Sequence, residues 1–139
     1  MAGIYLHIPF CHQACSYCDF HFSTNLKRVE DMAIAIEQEA VLRSGYLQGK
    51  PLFETIYFGG GTPSMTPATT MRRALEPVLR GGQALAPQYE WTMEANPSSV
   101  TLESLREYRD LGVNRISMGV QALRDDLLAR LGRVHSREA

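Results

Sequence analysis

Cysteine is scarce. The chain's 139 residues contain three, all between Cys11 and Cys18. An odd number packed this closely cannot form a disulfide framework. An excess of positive charge is also missing: fourteen Lys and Arg stand against fifteen Asp and Glu, the net charge is −1 and the pI is 6.4. Without a basic footprint, a polyanion such as nucleic acid is excluded as the main partner. No run of eighteen apolar residues occurs, so no transmembrane segment is expected. Met1–Leu6 carries neither a charged leader nor a long apolar stretch, and together with reduced thiols this predicts a cytoplasmic protein. Low-complexity linkers and internal repeats are absent, and 45% hydrophobic content suits one globular domain over residues 1–139.

What is present is a regular alternation of strand and helix signals. Residues 4–8 read as a strand that runs into the cysteines, and apolar residues from Leu26 to Leu42 recur at helical spacing, predicting a helix over 26–44 with the turn back at 45–51. Thr55–Phe58 is a second strand, followed by Gly59-Gly60-Gly61. Thr66 and Pro67 then cap and open a helix to Arg80, which Gly81-Gly82 ends. Glu90–Ala95 predicts a third strand, with a helix from Thr101 to Gly112. Arg115–Val120 predicts a fourth, with a helix over 125–131 stopped by Gly132. Four β-α repeats with short connections imply a parallel sheet with right-handed crossovers, an α/β fold.

These strands are not the continuous apolar runs of a sheet covered on both faces. Tyr5 and His7 oppose Ile4, Leu6 and Ile8; Thr55 and Tyr57 oppose Ile56 and Phe58; Thr92 and Glu94 oppose Trp91 and Met93; Arg115, Ser117 and Gln121 oppose Ile116, Met118 and Val120. If helices cover the apolar faces, the polar faces line a cavity, as in a curved partial barrel. The cysteine loop, the glycine loop, Asn96 and Gln121 all follow the carboxyl ends of strands, where barrel sites lie.

Spacings of three and then two residues let one tight loop aim Cys11, Cys15 and Cys18 at a common centre, which is metal-site chemistry. Two centres satisfy it: a [4Fe-4S] cluster with one iron free of protein, or zinc with His12 or His21 as fourth ligand. Gly59-Gly60-Gly61-Thr62-Pro63 lacks the lysine and spacing of a phosphate loop, so it reads either as a tight turn or as a place of close backbone approach.

Cys11-x3-Cys15-x2-Cys18, with Tyr17 before the last cysteine, resembles the cluster signature of the radical S-adenosylmethionine superfamily. The string Tyr5-Leu6-His7-Ile8-Pro9-Phe10-Cys11 resembles its coproporphyrinogen III oxidase-like branch, which also holds the HemW family of haem chaperones. The resemblance implies a (β/α)6 partial TIM barrel, of which residues 1–139 form the first four units of the core domain, so the chain is expected to be a truncated, N-terminal part. It implies that the three cysteines ligate a [4Fe-4S] cluster whose open iron chelates S-adenosylmethionine, which is cleaved by one-electron transfer. The family pattern places S-adenosylmethionine contacts at Tyr5, Tyr17, Gly60, Gly61, Thr62, Glu94, Gln121 and Arg133. Taken singly, Tyr17 also reads as a core aromatic and Arg133 as a solvated surface arginine. The oxidase branch carries a further cysteine where this chain has Phe20, and a longer N-terminal arm. Both departures resemble the chaperones. The implied partners are therefore haem and a haem-accepting apoprotein or, for an oxidase, coproporphyrinogen III, and an inactive fragment is the third reading. His7 and His12 are candidate haem ligands. No catalytic residue is assigned.

Overall fold

The computed structural model describes residues 2–43, 45, 46, 49, 52–80 and 84–138. Strand β1 (Ala2–Ile8) alternates as its sequence does, with Leu6 and Ile8 buried and Gly3, Tyr5 and His7 exposed. A 3-10 turn at Leu26–Arg28 leads into helix α1 (Val29–Leu42). Strand β2 (Phe53–Gly60) is followed by a 3-10 turn at Pro63–Met65 and helix α2 (Ala68–Arg80). Strand β3 (Leu85–Ala95) leads through a 3-10 turn at Pro97–Ser99 to helix α3 (Leu102–Leu111), then strand β4 (Arg115–Met118) and helix α4 (Asp125–Arg130). The sheet has order β1-β2-β3-β4 with every pairing parallel, the first four steps of a partial TIM barrel.

The core lies between the sheet's apolar face and helices α1 to α3. Leu6, Ile56, Phe58, Trp91 and Met93 meet Met71, Leu75 and Tyr108 there. Phe58 packs edge-on against Trp91, with centroids 5.5 Å apart at 88°. Burying each such side chain contributes roughly 1.5–3 kcal/mol. Helix α3 begins at Thr101, whose hydroxyl accepts from the Ser104 N–H while Ser104 Oγ accepts from the Thr101 N–H, a reciprocal cap.

Several expectations need correction. The first three residues of the predicted first helix form a 3-10 turn, and its end at Ser44 lies outside the described residues, as do Gly81-Gly82 and much of the turn at 45–51. Strand β3 begins five residues before Glu90, because Phe53 pairs with Leu85 and Thr55 with Glu90. The intervening residues bulge out, and Pro87 is tolerated in that bulge, where no ladder N–H is needed. Strand β4 stops at Met118 rather than Val120, because Gln121 adopts φ 69° and the chain turns before it. Thr92, on the polar face, is fully buried: its hydroxyl donates to Glu90 and accepts from Arg115, which together cover it. Ile116 and Met118, on the apolar face of β4, are 36% and 39% exposed, and β4 lies at the edge of the sheet.

Candidate functional site

The cysteine loop is tied at both ends. After β1, the Cys11 N–H donates to Ser23 O (3.0 Å) and the Ser23 N–H to Pro9 O (2.7 Å), a one-rung bridge that closes the loop at its base. Phe10 is buried beside it. Within the loop the Cys18 N–H donates to Cys15 O at 3.1 Å.

The end of β2 runs against that base. The Gly61 N–H donates to Ile8 O (2.9 Å) and the Thr62 N–H to Phe10 O (2.7 Å). A Cβ on Gly61 would stand 2.6 Å from Phe10 O and 2.9 Å from Cys11 Sγ, so only glycine permits this approach of two backbones. Thr62 Oγ1 donates to Cys11 Sγ at 3.5 Å, and burial pushes the Cys11 thiol above its usual range, partly countered by that bond. The neighbouring Gly60 has φ 122°.

Glu94, one residue before the end of β3, is held on both oxygens. The Tyr57 hydroxyl donates to Oε1 at 2.8 Å and the Gly60 N–H to Oε2 at 3.0 Å. The bond to Glu94, reinforced by burial, raises the Tyr57 phenol's pKa. The next turn is organised by Asn96, whose Oδ1 accepts from the Ser98 N–H, while Ser99 Oγ accepts from the Asn96 N–H.

Arg133 reaches the site because of how α4 ends. Gly132 follows the last turn at φ 71°, with its N–H on Ala129 O and the Arg133 N–H on Leu128 O, the paired bonds of a Schellman motif. This reversal sends the guanidinium back over the cysteine loop. Nη1 donates to Cys15 Sγ (3.7 Å) and Tyr17 Oη (3.2 Å), and Nη2 to Gly119 O (2.8 Å). Nε is buried without a partner. The Gln13 side chain donates to Gly132 O, a further tie between the loop and the fourth unit. Arg133 is thus no solvated surface arginine. Tyr17, at 45% exposure, is no core aromatic; burial still raises its phenol's pKa, and Arg133 opposes the rise.

These groups border one cavity of about 550 Å³. Cys11, Cys15, Cys18, Tyr17, Gly60, Gly61, Thr62, Glu94, Gln121 and Arg133 all line it, and Phe20 stands at its rim, 77% exposed. Tyr5 does not join them. It lies opposite Tyr57 in the ladder, with ring centroids 5.9 Å apart and its hydroxyl 3.2 Å from His7 Nδ1. Burial and the charge of Glu94 raise its phenol's pKa. Sequence reasoning missed Tyr57, whose signal was its place on the polar face two residues before Gly59, and His135, whose ring meets Val120 O.

Among the described residues no three His, Cys, Asp or Glu side chains gather closely enough to chelate a single ion. Three free thiols on one loop, a glycine cradle that a Cβ would fill, and the Arg133 guanidinium on the cavity wall fit a sulfur-ligated cluster with a ligand that carries a carboxylate.

Fold and site together define a radical S-adenosylmethionine protein: the profile of the Radical SAM superfamily matches residues 5–139, and the chain belongs to that superfamily. Within it, the chain is similar to HemW proteins and to a coproporphyrinogen III oxidase. It is 36% identical over 139 residues to the haem chaperone HemW of Bacillus subtilis, 42% over 138 residues to that of Synechocystis, and 40% over 135 residues to that of Escherichia coli. These matches cover 99%, 96% and 96% of this chain. The chain spans about a third of the length of these relatives, namely 36%, 33% and 35%. Among solved structures, coproporphyrinogen III oxidase (HemN) of Escherichia coli, titled a radical SAM enzyme, superposes with TM-score 0.85 at 30% identity, over 98% of this chain and 31% of that one. Membership implies, in general, a [4Fe-4S] cluster and S-adenosylmethionine. Among the described residues, no helix is long and apolar enough to cross a membrane.

Proposed function

We propose that residues 1–139 are the N-terminal part of the core domain of a HemW-like haem chaperone, with Cys11, Cys15 and Cys18 as the ligands of a [4Fe-4S] cluster. Gly60, Gly61, Thr62, Glu94, Gln121, Arg133 and Tyr17 receive S-adenosylmethionine in the adjoining cavity, and Tyr5 supports them from below. Cluster and S-adenosylmethionine together supply one-electron chemistry when bound. The chain's own part is to bind, orient and shield. The Gly60–Thr62 backbone lets a ligand approach without a Cβ in the way, Glu94 presents a carboxylate fixed by Tyr57 and Gly60, and Arg133 offers positive charge beside Cys15. One partner is haem, passed to an apoprotein acceptor.

The observation that carries the choice of chaperone is Phe20, an exposed apolar side chain on the cavity rim where the oxidase branch has a further cysteine. The 36–42% identities to the HemW proteins, beside 30% to the oxidase structure, support the same choice. The second reading, an oxygen-independent coproporphyrinogen III oxidase, is favoured by the shared cluster loop and the TM-score of 0.85. The deciding experiment gives the reconstituted protein coproporphyrinogen III, S-adenosylmethionine and a reductant in one vessel, and haem with an apo-acceptor in another. Haem transfer without decarboxylation supports the chaperone, and production of protoporphyrinogen overturns it.

A further inference from the structure

The turn that carries Gln121 is strained and held from outside. Gln121 is the one non-glycine residue with positive φ among the described residues, and the Ala122 N–H donates to Val120 O across it at 2.9 Å, a tight three-residue turn. Such a conformation persists only where its surroundings over-determine it. Both carbonyls before Gln121 are taken by one segment: Gly119 O by Arg133, and Val120 O by the ring of His135, whose Nε2 lies 3.1 Å away.

A carbonyl only accepts, so Nε2 carries the hydrogen of this bond. Nδ1 is buried without a partner, and the residue is 8% exposed. A histidine so placed is neither solvated nor doubly satisfied. Its single polar contact is with the turn. We infer that His135 is a positioning residue, which holds the Gly119–Gln121 turn so that the Gln121 side chain is presented to the cavity. The inference rests on the reading that this cavity receives S-adenosylmethionine.

Three variants of the reconstituted chain test it: His135→Gln, whose amide can replace the Nε2–H; His135→Leu, which keeps bulk without a donor; and Gln121→Ala. Calorimetry with S-adenosylhomocysteine, thermal unfolding, and ¹⁵N NMR of the histidine ring and the Gln121 amides are the readouts. The expected result is an Nε2–H tautomer, about tenfold weaker binding in His135→Leu and in Gln121→Ala, and recovery to within about threefold in His135→Gln at a similar melting temperature. Wild-type affinity in His135→Leu, or equal loss in His135→Leu and His135→Gln that follows their melting temperatures, overturns the inference. Should His135→Leu not fold, His135→Asn takes its place, because its shorter amide does not reach Val120 O. If the wild-type chain binds no S-adenosylhomocysteine, the reading of the cavity fails. The NMR then decides the role of His135 alone: displaced Gln121 resonances in the donor-free variant support it, and unmoved ones refute it.

Discussion

Replacing Gly61 by alanine tests the contact between the glycine and cysteine loops. The new Cβ would lie 2.6 Å from Phe10 O, 2.9 Å from Phe10 C and 2.9 Å from Cys11 Sγ. Two of these three atoms are backbone, so no rotamer change relieves the clash and the loops must separate by several tenths of an ångström. The hydrogen bonds from Gly61 to Ile8 O and from Thr62 to Phe10 O run through the same contact. Overpacking of this kind costs typically 1–3 kcal/mol, and one weakened hydrogen bond about 1 kcal/mol. A loss of about 2 kcal/mol corresponds to roughly 8 °C in melting temperature for a domain of this size. Because Cys11 Sγ is displaced directly, cluster loading should fall further than stability does. Gly59→Ala is the control: its Cβ would meet the side chains of Tyr5 and Tyr57, which can swing aside. Thermal unfolding of the metal-free protein and iron and sulfide content after anaerobic reconstitution are the assays. Wild-type loading and melting temperature in Gly61→Ala, or an equal loss in Gly59→Ala, would refute the reasoning.

Burial pushes the Tyr108 phenol up to about 12 from 10.0, and its hydroxyl donates to Ser64 O (2.7 Å) and Thr66 O (3.2 Å). With the folded value above the unfolded one, this stability is full below pH 10 and is lost as the pH rises through about 12, about 3 kcal/mol in all. Denaturant titrations from pH 9 to 12 should therefore show wild type losing stability relative to Tyr108→Phe, and a pH-independent difference would contradict this. Removing the Tyr57 hydroxyl in Tyr57→Phe leaves Glu94 Oε1 without its donor, and S-adenosylhomocysteine affinity should fall several-fold by calorimetry with little change in melting temperature.

The parallel sheet was legible because period-two alternation and Gly or Pro punctuation are local signals, and each strand from Ile4 to Ser117 carries them. Strand limits were less so. Where β3 begins depends on a bulge around Pro87 that pairing with Phe53 stabilises, a long-range effect. Where β4 ends depends on the strained turn at Gln121, which Arg133 and His135 hold from elsewhere in the chain. The cysteines and Gly60–Thr62 could be read because their spacing is contiguous. Glu94's partners could not, because Tyr57 meets it only through the pairing of β2 with β3. Arg133 was marked as a ligand contact by the resemblance, while taken singly it also read as a surface arginine; the reversal at Gly132 turns it inward.

We propose that Cys11, Cys15 and Cys18 hold a [4Fe-4S] cluster beside a cavity for S-adenosylmethionine. Anaerobic reconstitution with iron and sulfide analysis, followed by electron paramagnetic resonance of the reduced protein with and without S-adenosylmethionine, tests it most directly. Iron and acid-labile sulfide in equal amounts, a spectrum that changes when S-adenosylmethionine is added, and loss of both on changing any one of the three cysteines to alanine are predicted. Stoichiometric zinc without acid-labile sulfide would contradict the claim.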